Sequence, residues 1–247
     1  MKPSPRIAIF GATSAIAIAA ARVWAEERAR LVLVGRDPRR LEAIATDLRV
    51  RGAEVVVQGA DLDPLERLGA VVDNAWQAFG GVDIALVAHG VLAEQPALDR
   101  DTAAAMRVFH TNGASAIALL LELARCFEAA RGGTLCAIGS VAGDRGRASN
   151  YVYGAAKSAV ATALQGLRQR LAPAGVQVVT IKPGLVDTPM TAGFAKGPLW
   201  ASADAVGRRI VGAIAAGRSV VYVPGFWRVV MAVLRALPEA IFLKLRI

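Results

Sequence analysis

Cysteine is nearly absent from this chain: its 247 residues include two, Cys126 and Cys136. They form no disulfide framework and lie in otherwise apolar segments, which suits a reducing compartment. Long uninterrupted apolar runs are missing too. Although 55% of the residues are hydrophobic, the longest such stretches are broken by Arg, Pro or Gly before roughly 18–20 residues, the length of a membrane span. Only Met1 to Arg6 precede the first strand-like run, which leaves no room for a secretory signal. The expected compartment is the cytoplasm. Aromatics are scarce, at 6%, and the basic residues are scattered rather than clustered with them, so no nucleic-acid partner is expected. No metal is expected either. Linkers, low-complexity tracts and internal repeats are lacking, which leaves one domain as the simplest account. Acidic residues fall short of basic ones, 20 against 29, for a net charge of +9. That excess is either a solvated positive surface or a preference for anionic partners: a phosphate-bearing cofactor, an anionic substrate or a membrane surface.

What the chain does have is alternation. Strand-like runs at Arg6–Phe10, Leu31–Val34, Glu54–Gln58, Ile84–Ala88, Gly133–Ile138, Gln177–Lys182 and Val220–Val223 are separated by helical patterns such as Ala15–Glu26, Pro38–Arg51, Asp63–Phe79 and Asn150–Ala172. Strands that are apolar throughout and joined by helices predict a mostly parallel sheet of seven strands covered on both faces. That is a doubly wound, Rossmann-type α/β domain over residues 1–224, whose ligand sits beyond the carboxyl ends of the strands.

The first of those ends reads Phe10-Gly11-Ala12-Thr13-Ser14-Ala15-Ile16-Ala17. Gly11 permits the tight turn, and Thr13, Ser14, Ala15 and Ile16 lie where backbone must approach a pyrophosphate at a helix N-terminus. The second strand ends in Gly35-Arg36-Asp37. Gly35 takes the place of a carboxylate that would read a ribose 2′-hydroxyl. Arg36 can pair with a 2′-phosphate, which favours NADP(H) over NAD(H); Arg36 opening an ordinary loop, or Asp37 turning inward, are the alternatives. Asp61-Leu62, after the third strand, is placed to meet an adenine ring, or Asp61 merely begins the next helix.

The sharpest local pattern is Tyr153-Gly154-Ala155-Ala156-Lys157 on a helical segment, with Ser140 upstream at a strand end. Residues four apart share a helix face, so Lys157 lies one turn from Tyr153. A phenol titrates near 10, and an adjacent ammonium lowers that value toward working pH. Ser140 can hydrogen-bond a carbonyl oxygen beside the phenol. Asn112, in the helical stretch after the fourth strand, is placed to hold a water that relays protons toward Lys157.

Together with the Rossmann pattern, these residues make the chain resemble a short-chain dehydrogenase/reductase over nearly its whole length. The resemblance runs on through Lys182-Pro183-Gly184-Leu185-Val186-Asp187-Thr188. It implies a carbonyl/alcohol oxidoreductase with Asn112, Ser140, Tyr153 and Lys157 as catalytic residues. It also implies that Pro183, Gly184, Val186 and Thr188 border the nicotinamide, that Lys157 holds its ribose, and that the protein is a homodimer or homotetramer. Three positions depart from the family pattern. Ala15 and Ala17 replace glycines, which predicts a looser approach to the pyrophosphate. Ala88-His89-Gly90 replaces Asn-Ala-Gly, and His89, at a strand end near the cofactor's place, is expected to pack or wall the cofactor rather than act as an acid.

Two segments, 142–153 and 241–247, resemble one branch more closely, the reductases that act on a 2-keto sugar linked to decaprenyl phosphate. That resemblance implies that Arg145 and Arg147 flank the substrate mouth and receive a phosphate; arginines paired with nearby carboxylates on a solvated loop are the alternative. Residues 188–200 read as a cover over the substrate, with Gly193 and Gly197 allowing motion. Residues 225–247 read as an amphipathic tail. At 100° per residue Arg228, Arg235, Glu239 and Arg246 fall on one polar stripe, and Pro238 divides the tail into two pieces. Trp227 beside Arg228 suits a headgroup boundary. Packing on the chain's own domain or on a second subunit, and peripheral membrane contact, are both open. A reductase or dehydrogenase for a small ketone, steroid or acyl substrate, and a non-catalytic NADP(H)-binding regulator, are the other functions compatible with these residues.

Overall fold

The protein is described by a computed structural model covering residues 4–245. Arg246, a member of the tail's polar stripe, falls outside the described residues. The seven strands form as β1 (Arg6–Phe10), β2 (Arg30–Gly35), β3 (Glu54–Gly59), β4 (Ile84–Val87), β5 (Thr134–Ile138), β6 (Gln177–Pro183) and β7 (Val220–Val223). They make one sheet in the order β3-β2-β1-β4-β5-β6-β7, and every neighbouring pair is parallel. A parallel sheet needs cover on both faces, which is why β1, β2 and β5 are almost wholly buried along their length. One face packs under α1 (Ala15–Glu26), α2 (Pro38–Val50) and α7 (Ala203–Ala215), around Trp24, Leu41 and Ile210. The other packs under α3 (Leu68–Gln77), α5 (Ser115–Ala130) and α6 (Tyr151–Leu171), around Leu68, Phe127 and Leu164.

Two helical stretches differ from the periodic pattern. The run expected over 63–79 begins later, as a single 3-10 turn at Leu65–Arg67 before α3, because Pro64 cannot extend a helix backwards. Between α4 (Thr102–Phe109) and α5 the helix widens into a π-turn, His110–Ala114, in which the Ser115 amide bonds His110 O five residues back. Gly113 packs there against helix α6, at Ala156. The chain ends in α8 (Trp227–Ala236) and a short turn, Glu239–Phe242, with the break at Pro238. The buried side of α8 is Trp227 and Met231, which pack with Val141. Among the described residues, no helix is long and apolar enough to cross a membrane, and no cluster of His, Cys, Asp or Glu can hold a metal ion.

Candidate active site

A cavity of roughly 680 Å³ opens at the carboxyl ends of the strands. Gly11 turns the chain out of β1 with φ +82°, a conformation that side chains avoid. A Cβ at Gly11 would also come within 2.4 Å of the His89 amide nitrogen, so the turn and the end of β4 are in backbone contact. Helix α1 then starts at Ala15 with no side chain capping its first amides. Thr13, Ser14, Ala15 and Ile16 line the cavity beside them, a ready-made cradle for anionic oxygens.

His89 braces the neighbouring wall. Its Nε2 lies 3.1 Å from Ser115 Oγ, and that hydroxyl donates to Leu62 O at 2.6 Å. Because the hydroxyl proton is spent on Leu62, the imidazole donates through Nε2–H, and Nδ1 is left as a bare acceptor without a partner. Burial, and then the charges of Lys157 and Arg36, drive the ring's pKa down to about 3. A ring held neutral in this way is a brace and a wall, not an acid. It ties the end of β4 to Ser115 of α5 and, through that hydroxyl, to Leu62 beyond β3.

At the end of β2, Gly35 and Arg36 line the cavity. Asp37 does not turn inward: its carboxylate accepts the Arg40 amide at 3.1 Å and caps α2. Arg40 itself lines the cavity and donates to Thr13 O at 3.3 Å. Sequence reasoning missed this residue, although its place on the first turn of α2, just past Arg36, was there to be used. Asp61 and Leu62 complete this end, with Asp61 accepting the Asp63 amide at 3.2 Å.

Ser140, Tyr153, Lys157 and Asn112 line the same cavity. Ser140 caps a short turn, Val141–Asp144, by accepting the Ala142 amide at 3.0 Å. That turn is pressed onto helix α6 at two glycines. A Cβ at Gly143 would be 2.8 Å from Lys157 C and Ser158 N, and one at Gly154 would be 2.8 Å from Ala142 O. Interlocked backbones thus fix the serine against the tyrosine helix. Burial pushes the Tyr153 phenol up to about 12, with Ser140 pulling the other way. Lys157 Nζ lies 5.7 Å from the tyrosine ring centroid and donates to Ile138 O at 3.3 Å. It is 5% exposed and has no carboxylate partner among the described residues, and burial lowers its pKa to about 8. Asn112 sits in the π-turn with its side chain fully engaged. It donates to Val91 O and Val108 O and accepts the Val91 amide.

Ala88, Gly90, Pro183, Gly184, Val186 and Thr188 all line the cavity, as do Met190, Phe194 and Trp200 from the 188–200 segment. The arginines separate. Arg147 lines the cavity, its Nε is buried without a partner, and burial lowers its pKa. Arg145, expected beside it, faces away. Its guanidinium donates to Leu234 O, Leu237 O and Glu239 and stacks on Phe242 at 3.7 Å, and so closes the end of α8. Trp227, expected at a headgroup boundary, is 8% exposed and forms part of the cavity wall. It packs inward because it lies on the same face of α8 as Met231.

The bare amides of α1, the ammonium of Lys157 and the ring of His89 line one continuous space. That donor set fits a pyrophosphate-bearing dinucleotide with ribose hydroxyls. At its other end a serine, a protonated phenol and a free guanidinium meet an apolar pocket. The arrangement can polarise a carbonyl oxygen and hand it a proton.

Known proteins resemble this chain in sequence and fold. A sequence model described as short chain dehydrogenase matches residues 5–198. An uncharacterized oxidoreductase of Mycobacterium tuberculosis (strain ATCC 25618 / H37Rv) is 33% identical over 240 residues, 97% of this chain and 96% of that one. Another, from Streptomyces coelicolor, is 34% identical over 249 residues, 98% of this chain and 96% of its own. A solved short chain dehydrogenase/reductase family protein superposes with TM-score 0.77 at 29% identity, over 90% of this chain and 97% of that one. A short-chain dehydrogenase from Sphingobium yanoikuyae, solved with NADPH, superposes with TM-score 0.79 at 25% identity, over 96% and 97% of the two chains.

Proposed function

This chain belongs to the short-chain dehydrogenase family, as an oxidoreductase that uses NAD(P)(H), and we propose that it is an NADP(H)-dependent carbonyl reductase with Tyr153 as its proton donor. The observation that carries this reading is the unpaired, buried ammonium of Lys157 one turn from Tyr153, with Ser140 locked beside them. Asn112 belongs to the set as the residue that shapes the π-turn above Lys157. The bound nicotinamide supplies or takes up the hydride. Ser140 donates a hydrogen bond to the carbonyl oxygen and holds it beside the phenol. Tyr153, protonated at neutral pH, gives its proton to that oxygen as the alcohol forms. The phenolate left behind is stabilised by Lys157, which returns a proton to it, and solvent restores the pair. Arg36, with Arg40, supports the 2′-phosphate, since Asp37, the carboxylate that follows it, is spent on capping α2.

For the substrate we infer a 2-keto sugar carried on a polyprenyl phosphate. Three features support it: the free guanidinium of Arg147, the apolar side chains of Met190 and Phe194 at the cavity, and the sequence resemblance of the 142–153 segment. The exposed Val229 and Val233 of α8, with Arg228 and Arg235 on the helix flank, support peripheral contact with anionic lipid. The test is NADPH oxidation driven by such a keto sugar. Tyr153→Phe should abolish turnover and keep NADPH binding, and Arg147→Gln should raise the substrate KM about tenfold or more while sparing the same sugar without phosphate. Arg36→Ala should weaken NADPH and leave NADH unchanged. Retained turnover in Tyr153→Phe would sink the mechanism.

A further inference from the structure

The short turn that begins at the catalytic serine ends at a grip on the tail. Ser140 opens it, Val141 packs with Trp227 and Met231, and Arg145, just past it, holds the carbonyls of Leu234 and Leu237 together with Glu239 and Phe242. Asp144, within it, binds Lys182 of β6 and accepts a hydrogen bond from the Tyr222 hydroxyl of β7 at 2.7 Å. Helix α8 is thus held by its buried face, by its last turn and through the strand that precedes it. What it carries into the cavity is Trp227. The indole lies so close over Gly184 that a Cβ there would come within 2.0 Å of Nε1, and that nitrogen has no partner. Gly184 in turn sits between Pro183 and Leu185, both in the cavity wall. A large, rigid, flat side chain therefore bounds the space next to the serine, and Met231 and Arg145, which help to place it, do not line that space.

We propose that α8 is a wall of the substrate site, that Trp227 is a specificity-determining residue limiting the bulk beside the reacting carbonyl, and that Arg145 is the positioning residue that seats it. The inference rests on the reading above that the carbonyl reacts at Ser140 and Tyr153. Removing the indole leaves room for a larger group on the substrate, whereas the cofactor cradle at the far strands is untouched. Replacing Arg145 frees two carbonyls and a carboxylate at the end of α8 and lets the indole drift.

The test uses the full chain, NADPH and two ketones of different size, cyclohexanone and the bicyclic 2-tetralone. Trp227→Ala should raise the kcat/KM ratio of 2-tetralone to cyclohexanone about tenfold or more, the span that one hydrophobic-pocket contact commands. Trp227→Phe should move it less and in the same direction. Arg145→Met should raise the KM of both ketones severalfold with the NADPH KM held within about twofold. A ratio unchanged in a folded Trp227→Ala protein overturns the inference, as does a loss shared equally by ketones and NADPH. If neither ketone turns over, the same ratio is read as dissociation constants on NADP-saturated protein by ligand-observed NMR. An unchanged ratio there is equally fatal to the inference, whereas Trp227-dependent binding without turnover supports it and excludes these two ketones as substrates; the reductase reading stands or falls separately, on the keto-sugar assay.

Discussion

Lys157 is kept in this protein at a cost. Its ammonium is buried, accepts no help from a carboxylate, and has its pKa lowered to about 8 from 10.5. Below pH 8 both folded and unfolded chains carry that proton, so the penalty is fully present. Between 8 and 10.5 the unfolded chain binds more protons than the folded one, and stability gained from this group rises with pH. Lys157→Met should therefore inactivate the enzyme yet raise the melting temperature of the cofactor-free protein at pH 7 by a few degrees, after about 1 kcal/mol is given back for the abandoned Ile138 carbonyl. The gain should fade as thermal melts are taken from pH 8 toward 10.5; a constant gain, or a loss at pH 7, would contradict it. Residue identity was legible in the sequence where a local spacing carried the chemistry, as for Tyr153 and Lys157. It was not legible for Arg145 and Arg147. They share a loop and a charge, and what separates them is that Arg145's partners come 89 to 94 residues later.

At the scale of elements, the apolar alternation placed all seven strands within about a residue of their observed ends, because a strand covered on both faces must be apolar throughout. The π-turn at His110–Ala114 was not visible. It depends on Gly113 meeting α6, and a distant packing contact leaves no periodic mark in its own segment. The junction of the serine turn with α6 is of the same kind, and it has a sharp consequence. Gly143→Ala would drive a methyl into the backbone of Lys157 and Ser158, and the turn must lift. A displacement of even about 1 Å in a reacting geometry costs about a hundredfold. Steady-state assays of this variant should show kcat reduced by about that factor, with NADPH affinity close to wild type. A fall in NADPH affinity as large as that in kcat would place the damage in the cradle instead.

Over the whole molecule, the charge of +9 includes arginines at three places that the proposed reading uses. Arg36 and Arg40 stand at one end of the cavity, Arg147 at the other, and Arg228 and Arg235 along one flank of α8, near Tyr222. The side of that helix away from the domain exposes Val229 by 68% and Val233 by 57%, and the proposed contact with anionic lipid draws on both. The full chain should float with liposomes containing phosphatidylglycerol and release them as salt is raised. A chain ending at Pro224 should stay at the bottom of the gradient, and equal flotation of the two would remove the lipid role. Composition alone could not choose between a tail that packs and a tail that touches lipid; the helix packs one face, Trp227 and Met231, and exposes another, Val229 and Val233. A last consequence lies in the walls of the cavity. The chain has four tryptophans. Trp24 is sealed in the core and Trp76 packs on Phe127, but Trp200 and Trp227 line the cavity. Indole emission overlaps the absorption of reduced nicotinamide, so these two side chains make the native fluorescence of the protein a gauge of what the cavity holds, with no label attached.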